Sequence, residues 1–186
     1  RQVLNKPIIQ YIVGEAIYAG FKEIILVTHS SKSSIENHFD KSFELEATLD
    51  KRVKRSLLKE IRAISKLNIS MQSIRQGEAK GLGHAIFCAN RLINKEPFAV
   101  ILPDMLISND NGNAGDSLKE MRLNYEKYEN SCVLFGRAKK ADIPKYGIAK
   151  IKKNSKLPGL GLVEKIIEKP SIKKAPSNLY AAGRYI

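Results

Sequence analysis

Apolar positions change period several times along the chain, and each change marks an element. From Pro7 to Gly20, the residues Ile8, Ile9, Ile12, Val13, Ala16 and Ile17 recur at helical spacing. Pro7 suits a first helical turn and Gly20 can end a helix with positive φ, so the spacing predicts a helix over 7–20. Glu23-Ile24-Ile25-Leu26-Val27-Thr28 reads as a buried strand. Ser33-Ser34-Ile35-Glu36 fits a capping box that opens a short helix through about Phe39. Residues 42–65 are a long, highly charged helical stretch with Phe43, Leu49, Val53, Leu57, Ile61 and Ile64 as its apolar stripe. A strand is expected over 68–74, then a glycine-opened loop and a helix over 81–92. Phe98-Ala99-Val100-Ile101-Leu102 is a β-branched run that stops at Pro103-Asp104. It predicts a strand buried on both faces, as in a parallel sheet. A polar Gly- and Asn-rich loop follows at 109–115, and Ser117-Leu118-Lys119-Glu120 reads as a capping box opening a helix to about Tyr128. A strand is expected over 131–138. From Pro144 onward, short strands at 147–152, 160–168 and 180–186 are parted by Pro- and Lys-rich turns.

The alternation of strand and helix up to residue 140 argues for an α/β layered domain with a mainly parallel sheet. The remainder reads as a β region added to that sheet. The chain runs at once into a helix and stops within a strand, so flanking residues are expected to complete the domain at both ends.

Composition narrows the classes. With 186 residues, 43% hydrophobic and 27% charged, the chain is ordinary for one sizeable globular domain. No run approaches the ~20 apolar residues of a membrane span, and no signal peptide is read. Cys88 and Cys132 are far apart, so two buried, reduced thiols in a cytoplasmic protein are expected. His29, His38 and His84 match no zinc spacing. The net charge of +13 invites nucleic acid, phosphorylated ligands or anionic lipid. The lysines are spread out, however, and Lys51-Arg52-Val53-Lys54-Arg55 is flanked by Glu44, Glu46, Asp50 and Glu60. That pattern reads as a solvated helix face, and no nucleic-acid partner is expected.

Two places could carry chemistry. In open parallel sheets the ligand crevice lies beyond the carboxyl ends of the strands, where Asp104 falls. From the residues alone, Asp104 either caps the next loop or faces a ligand or metal. The second place is Arg75-Gln76-Gly77-Glu78-Ala79-Lys80-Gly81-Leu82-Gly83-His84-Ala85, between a strand and a helix. It matches neither a Walker A loop nor GxGxxG. Glycines there either make a plain turn or let the backbone approach a ligand. The Gln76 amide offers a donor and an acceptor, as a nucleobase edge requires.

Several stretches together resemble bacterial UTP–glucose-1-phosphate uridylyltransferases, also called UDP-glucose pyrophosphorylases. They are Asn5-Lys6-Pro7-Ile8-Ile9-Gln10-Tyr11, Ile25-Leu26-Val27-Thr28-His29-Ser30-Ser31-Lys32, Ile35-Glu36-Asn37-His38-Phe39-Asp40, and the charged segment from Ser42-Phe43-Glu44-Leu45-Glu46 to Arg52-Val53-Lys54-Arg55. Arg75-Gln76-Gly77, Lys80-Gly81-Leu82-Gly83-His84-Ala85 and Ile101-Leu102-Pro103-Asp104 follow. Val163-Glu164-Lys165, Glu168-Lys169-Pro170, Ala175-Pro176-Ser177-Asn178-Leu179 and Gly183-Arg184-Tyr185 complete the set.

The resemblance implies a Rossmann-like three-layer nucleotidyltransferase fold with a small β-rich sugar-binding region. It makes 1–186 a single domain incomplete at both ends, with a nucleotide-binding part at 1–140 and a sugar-phosphate-binding part at 141–186. It implies transfer of UMP from UTP to glucose 1-phosphate, giving UDP-glucose and pyrophosphate, by a cytoplasmic homo-oligomer. Carried over by position, Gln76 and the backbone of Gly81 read uracil, and Asp104 is a Mg2+ ligand. Tyr146-Gly147 meets the sugar hydroxyls through its backbone, Glu168 accepts from glucose hydroxyls, Lys169 holds a phosphate, and Asn178 lies near the sugar. The family's Gly-rich triphosphate loop and its second metal carboxylate are not within these residues. Alternatives are a related thymidylyl- or guanylyltransferase, or a non-catalytic regulatory paralogue. The chemistry suits the residue types, because magnesium takes only one or two carboxylates and a phosphate nucleophile is already ionised.

Overall fold

The computed structural model describes residues 8–29, 69–107, 112–153 and 159–186. The helices expected over 33–39 and 42–65 lie outside the described residues, as does part of the loop at 109–115. The chain divides into two units, Arg1–Phe98 and Ala99–Ile186. No described helix is long and apolar enough to cross a membrane.

In the first unit, α1 (Ile8–Tyr18) buries Ile12, Val13 and Ala16 together with Glu15, while Ile8 at one end of the expected stripe is exposed. The helix closes as the spacing predicts. Gly20 has φ 95, its N–H bonds the Ile17 carbonyl, and the Phe21 N–H bonds the Ala16 carbonyl. This pair of bonds satisfies two end carbonyls and needs a left-handed residue at Gly20. β1 (Glu23–His29) and β2 (Ser70–Gln76) pair in parallel, from Glu23 opposite Ser70 to His29 opposite Gln76. β2 lies two residues later than expected, which makes Gln76 its last residue. α2 (Leu82–Cys88) packs against both strands. The helix expected to run on to 92 breaks at Ala89. Bonds from the Ala89 N–H to Ile86 and from the Leu92 N–H to Ala89 tighten the joint before α3 (Asn90–Ile93).

In the second unit, β3 (Val100–Ile101) is short and half-buried, where a longer strand buried on both faces was expected. Leu102 donates the last ladder bond, to the Gly183 carbonyl at 2.9 Å, and Pro103 has no N–H to continue it. α4 (Asp116–Tyr128) buries Leu118 and Met121, and packs on β4 (Val133–Arg137). Its cap differs from the expected box at Ser117. Gly115 stands at the N-cap, and the Asp116 carboxylate accepts the Asn113 N–H at 2.8 Å. An unanticipated 3₁₀ turn, Lys140–Lys145, leads into β5 (Gly147–Lys153), β6 (Gly161–Glu168) and β7 (Leu179–Tyr185). The sheet runs β3-β7-β5-β6, with β4 also on β7.

The α/β class holds, but the described strand pairs of this unit are all antiparallel, and among the described residues parallel pairing is found between β1 and β2 alone. The reason is β7, which runs opposite to β3 and β4, with Tyr185 set against both Val100 and Val133. The last strand therefore belongs to the same sheet as β3. Both cysteines are free and half-buried.

Candidate active site

The parallel pairing sets Gln76 at the carboxyl end of β2, where open parallel sheets receive ligands. Its Nε2 donates to the Gly81 carbonyl at 3.2 Å and lies 3.0 Å from Nδ1 of His84. Two residues singled out by sequence are thus in contact, and His84 joins them. Gly81 has φ 87 with open space where a Cβ would stand, so the backbone conformation and not packing calls for glycine. Glu78 and Lys80 form an exposed ion pair in the same loop.

Asp104 sits with Pro103 in an exposed turn directly after β3. Among the described residues, no hydrogen bond reaches its carboxylate, and residues 108–111 of the loop that follows lie outside them. The turn is held from beneath by Arg184, whose side chain is fully buried. The Arg184 guanidinium donates to the Leu102 carbonyl at 3.1 Å and the Met105 carbonyl at 2.9 Å, one on each side of Asp104. Longer contacts of 3.4 Å reach the Ala182 and Gly183 carbonyls. Gly183 has φ 69, and a Cβ on it would lie 3.1 Å from the Leu102 Cβ, so this glycine lets the two segments approach. Burial pushes the Tyr185 phenol up, and the Asp104 and Glu168 carboxylates push it further. Both carboxylates therefore act on one phenol.

Glu168 pairs with Gly147 across β5 and β6. A Cβ on Gly147 would stand 3.0 Å from a Glu168 carboxylate oxygen, so the bare glycine makes room for that group. Lys169 takes φ 44, a left-handed conformation that costs a non-glycine residue about 1–2 kcal/mol. Its N–H donates to the Tyr146 carbonyl at 3.0 Å, and Pro170 behind it is buried. These contacts hold the strained residue, and strain of this kind gathers at functional sites. The Lys169 ammonium is 65% exposed and 4.0 Å from the Glu168 carboxylate. The Tyr146 ring stacks on Tyr180 at 4.6 Å, and a Cβ on Gly136 would come within 2.6 Å of the Tyr180 ring. Asn178 is exposed and its carbonyl accepts the Ala138 N–H at 2.8 Å. Among the described residues, no hydrogen bond joins its side chain to Glu168 or Lys169.

The second unit thus sets Tyr146, Gly147, Glu168 and Lys169 side by side, and Asp104 shares with Glu168 an influence on the Tyr185 phenol. It offers carboxylates and an ammonium group, which suit the handling of cations, hydroxyls and phosphates. The roles of Arg184, Tyr185, Tyr180, Gly136 and His84 were not read from sequence. The only signal for the first two was the stretch Gly183-Arg184-Tyr185 itself.

The sequence pattern of the nucleotidyl transferase family matches residues 2–186. A Haemophilus ducreyi protein named UTP–glucose-1-phosphate uridylyltransferase is 45% identical over 99% of this chain and 63% of its own length. A crystal structure of apo UDP-glucose pyrophosphorylase superposes with a TM-score of 0.86 at 37% identity, covering 100% of this chain and 66% of that one. A UTP-bound UGPase from Acinetobacter baumannii gives 0.79 at 36%, covering 99% and 64%. The chain spans just under two thirds of the length of these relatives. On the family match across nearly all of its residues, this chain belongs to the nucleotidyl transferase family.

Proposed function

We propose that the protein carrying this chain transfers UMP from UTP to glucose 1-phosphate, releasing pyrophosphate and forming UDP-glucose. The observation that carries the reading is the 45% identity, over 99% of the chain, to a relative named for that reaction. The contact between Gln76 and Gly81 supports a base-reading role for both. The gathering of Glu168, Gly147, Tyr146 and Lys169 supports a sugar-phosphate role for these four, with Asn178 as an outlying sugar contact.

A phosphate oxygen of glucose 1-phosphate attacks the α-phosphorus of UTP. The new O–P bond forms as the bond to the β-phosphate oxygen breaks, and pyrophosphate leaves with that electron pair. The nucleophile is already an anion, so no general base is required, and catalysis rests on alignment and charge neutralisation. The Lys169 ammonium offsets repulsion between the two phosphates. Glu168 accepts from sugar hydroxyls, and the Tyr146-Gly147 backbone meets them from the adjoining strand.

The described residues contain no group of three or more His, Cys, Asp or Glu that could cage a metal. A lone turn carboxylate fits magnesium, which binds through one or two carboxylates and completes its octahedron with water and phosphate oxygens. Asp104 is the residue proposed to hold it. When bound, the ion neutralises phosphate charge and orients the leaving group.

The test is pyrophosphate release by the full-length protein, with UTP, dTTP and GTP assayed against several sugar phosphates. UTP with glucose 1-phosphate should give the highest kcat/KM, and a preference for dTTP or GTP would overturn the assignment. Asp104→Ala should lower turnover by roughly 10²–10³, the scale for losing one preorganised electrostatic group. Unchanged rates in magnesium would remove Asp104 from the metal site.

A further inference from the structure

We infer that His84, together with the Gly81 carbonyl, sets the nucleotide preference of this protein by fixing which end of the Gln76 amide faces the base. The inference rests on the proposed base-reading role of Gln76. A carboxamide presents donors at one end and an acceptor at the other, so its orientation decides what it can read. Here the orientation follows from its neighbours. The Gly81 carbonyl can only accept, so the amide atom 3.2 Å from it must be Nε2. The same nitrogen lies 3.0 Å from Nδ1 of His84. That ring nitrogen accepts the second N–H when it is bare and the proton sits on Nε2 of the ring. His84 is half-buried in α2, with Cys88 Sγ one helical turn on at 4.0 Å from the same nitrogen.

Both amide hydrogens of Gln76 are therefore engaged within the protein, and its Oε1 accepts from none of the described residues. The Gly81 carbonyl is engaged as well, by Gln76 and by the Ala85 N–H at 3.2 Å. What remains for a ligand is an acceptor on Gln76 and the backbone N–H of Gly81. An imide edge complements that pair, since uracil and thymine carry an N3–H donor flanked by carbonyl oxygens. Cytosine carries a lone pair at N3, which would face Oε1 acceptor to acceptor. The ligand class is a nucleotide whose base bears an imide N–H, and cytosine nucleotides are refused. An orphaned acceptor pair in a part-buried site weighs against the wrong base more than a missing contact does. His84 is thus a positioning residue that acts through Gln76.

The experiment measures kcat/KM for UTP and CTP with the full-length protein and its His84→Phe, His84→Asn and Gln76→Ala variants. Phenylalanine keeps a ring but removes the acceptor, so only the Gly81 carbonyl still holds the amide and its N–H end can turn toward a cytosine lone pair at the loss of one bond instead of two. The UTP:CTP ratio should fall about tenfold, the size of one hydrogen bond. Asparagine, whose Oδ1 can stand in for Nδ1, should restore most of the ratio. Independently of any variant, nitrogen NMR of the wild-type ring should show a bare Nδ1 and a protonated Nε2. A ratio unchanged in His84→Phe, while Gln76→Ala impairs UTP use, would overturn the inference and leave the base-reading role standing. Unimpaired UTP use by Gln76→Ala would remove both. A protonated Nδ1 in the wild-type ring would also overturn it.

Discussion

Replacing Arg184 with lysine should uncouple the turn that carries Asp104 from the sheet beneath it. The wild-type guanidinium makes two short bonds at once, 3.1 Å to the Leu102 carbonyl and 2.9 Å to the Met105 carbonyl, so it spans the turn like a staple. A lysine ammonium is a point donor on a flexible stem and lacks the planar fork needed to hold both carbonyls in fixed geometry. At best one bond survives. A hydrogen bond to a charged group contributes about 1.5–3 kcal/mol net, and the loss is felt fully because the site is buried. For a domain of this size, at about 2–4 °C per kcal/mol, melting should fall by about 3–12 °C. If Asp104 holds magnesium as proposed, it should also lose its fixed aim, so the magnesium concentration for half-maximal activity should rise. Calorimetry gives the first quantity and a magnesium titration of pyrophosphate release the second. If Arg184→Lys melts with the wild type, the staple is not a stabilising contact. If it melts lower but keeps the wild-type magnesium dependence, Arg184 supports the fold without positioning Asp104.

Three further predictions follow from particular contacts. Lys169→Gly should be more stable than Lys169→Ala by about 1 kcal/mol in denaturant titration, because glycine adopts φ 44 without strain. If Lys169 holds the sugar phosphate as proposed, both variants should use glucose 1-phosphate poorly, and equal stability would mean that the backbone there is not strained. Gly136→Ala drives a methyl group into the Tyr180 ring and should cost about 1–3 kcal/mol. Adding Tyr180→Ala should cancel most of that cost, and additive losses would refute the clash. The Tyr185 phenol is held up by burial and by the Asp104 and Glu168 carboxylates, so the folded state favours its neutral form. Its stabilising contribution should be complete below the ordinary phenol value of about 10 and be lost as pH rises through the higher folded value. Tyr185→Phe should flatten the alkaline limb of a stability–pH curve, and an unchanged limb would remove Tyr185 as its source.

The resemblance, and not spacing or periodicity, named the candidate residues, and of these the structure sets Gln76 against Gly81 and Glu168 beside Gly147. Their surroundings could not be read that way. His84 reads as one residue of a glycine-rich turn until its ring is found against the Gln76 amide. Arg184 reads as a strand residue, and only β7 lying beside β3 brings its guanidinium under Leu102 and Met105, some eighty residues away in the chain.

By itself the sequence determined most of the described elements and one chain reversal in detail, the glycine-closed end of α1. Helical and strand periods, glycines and prolines act over a few residues, so their consequences are written locally. Tertiary structure alone decided the direction of strand pairing in the second unit and the brace beneath Asp104. Both depend on which distant segment supplies the hydrogen-bond partners, and a backbone N–H or C=O looks the same in sequence whether a parallel or an antiparallel neighbour satisfies it.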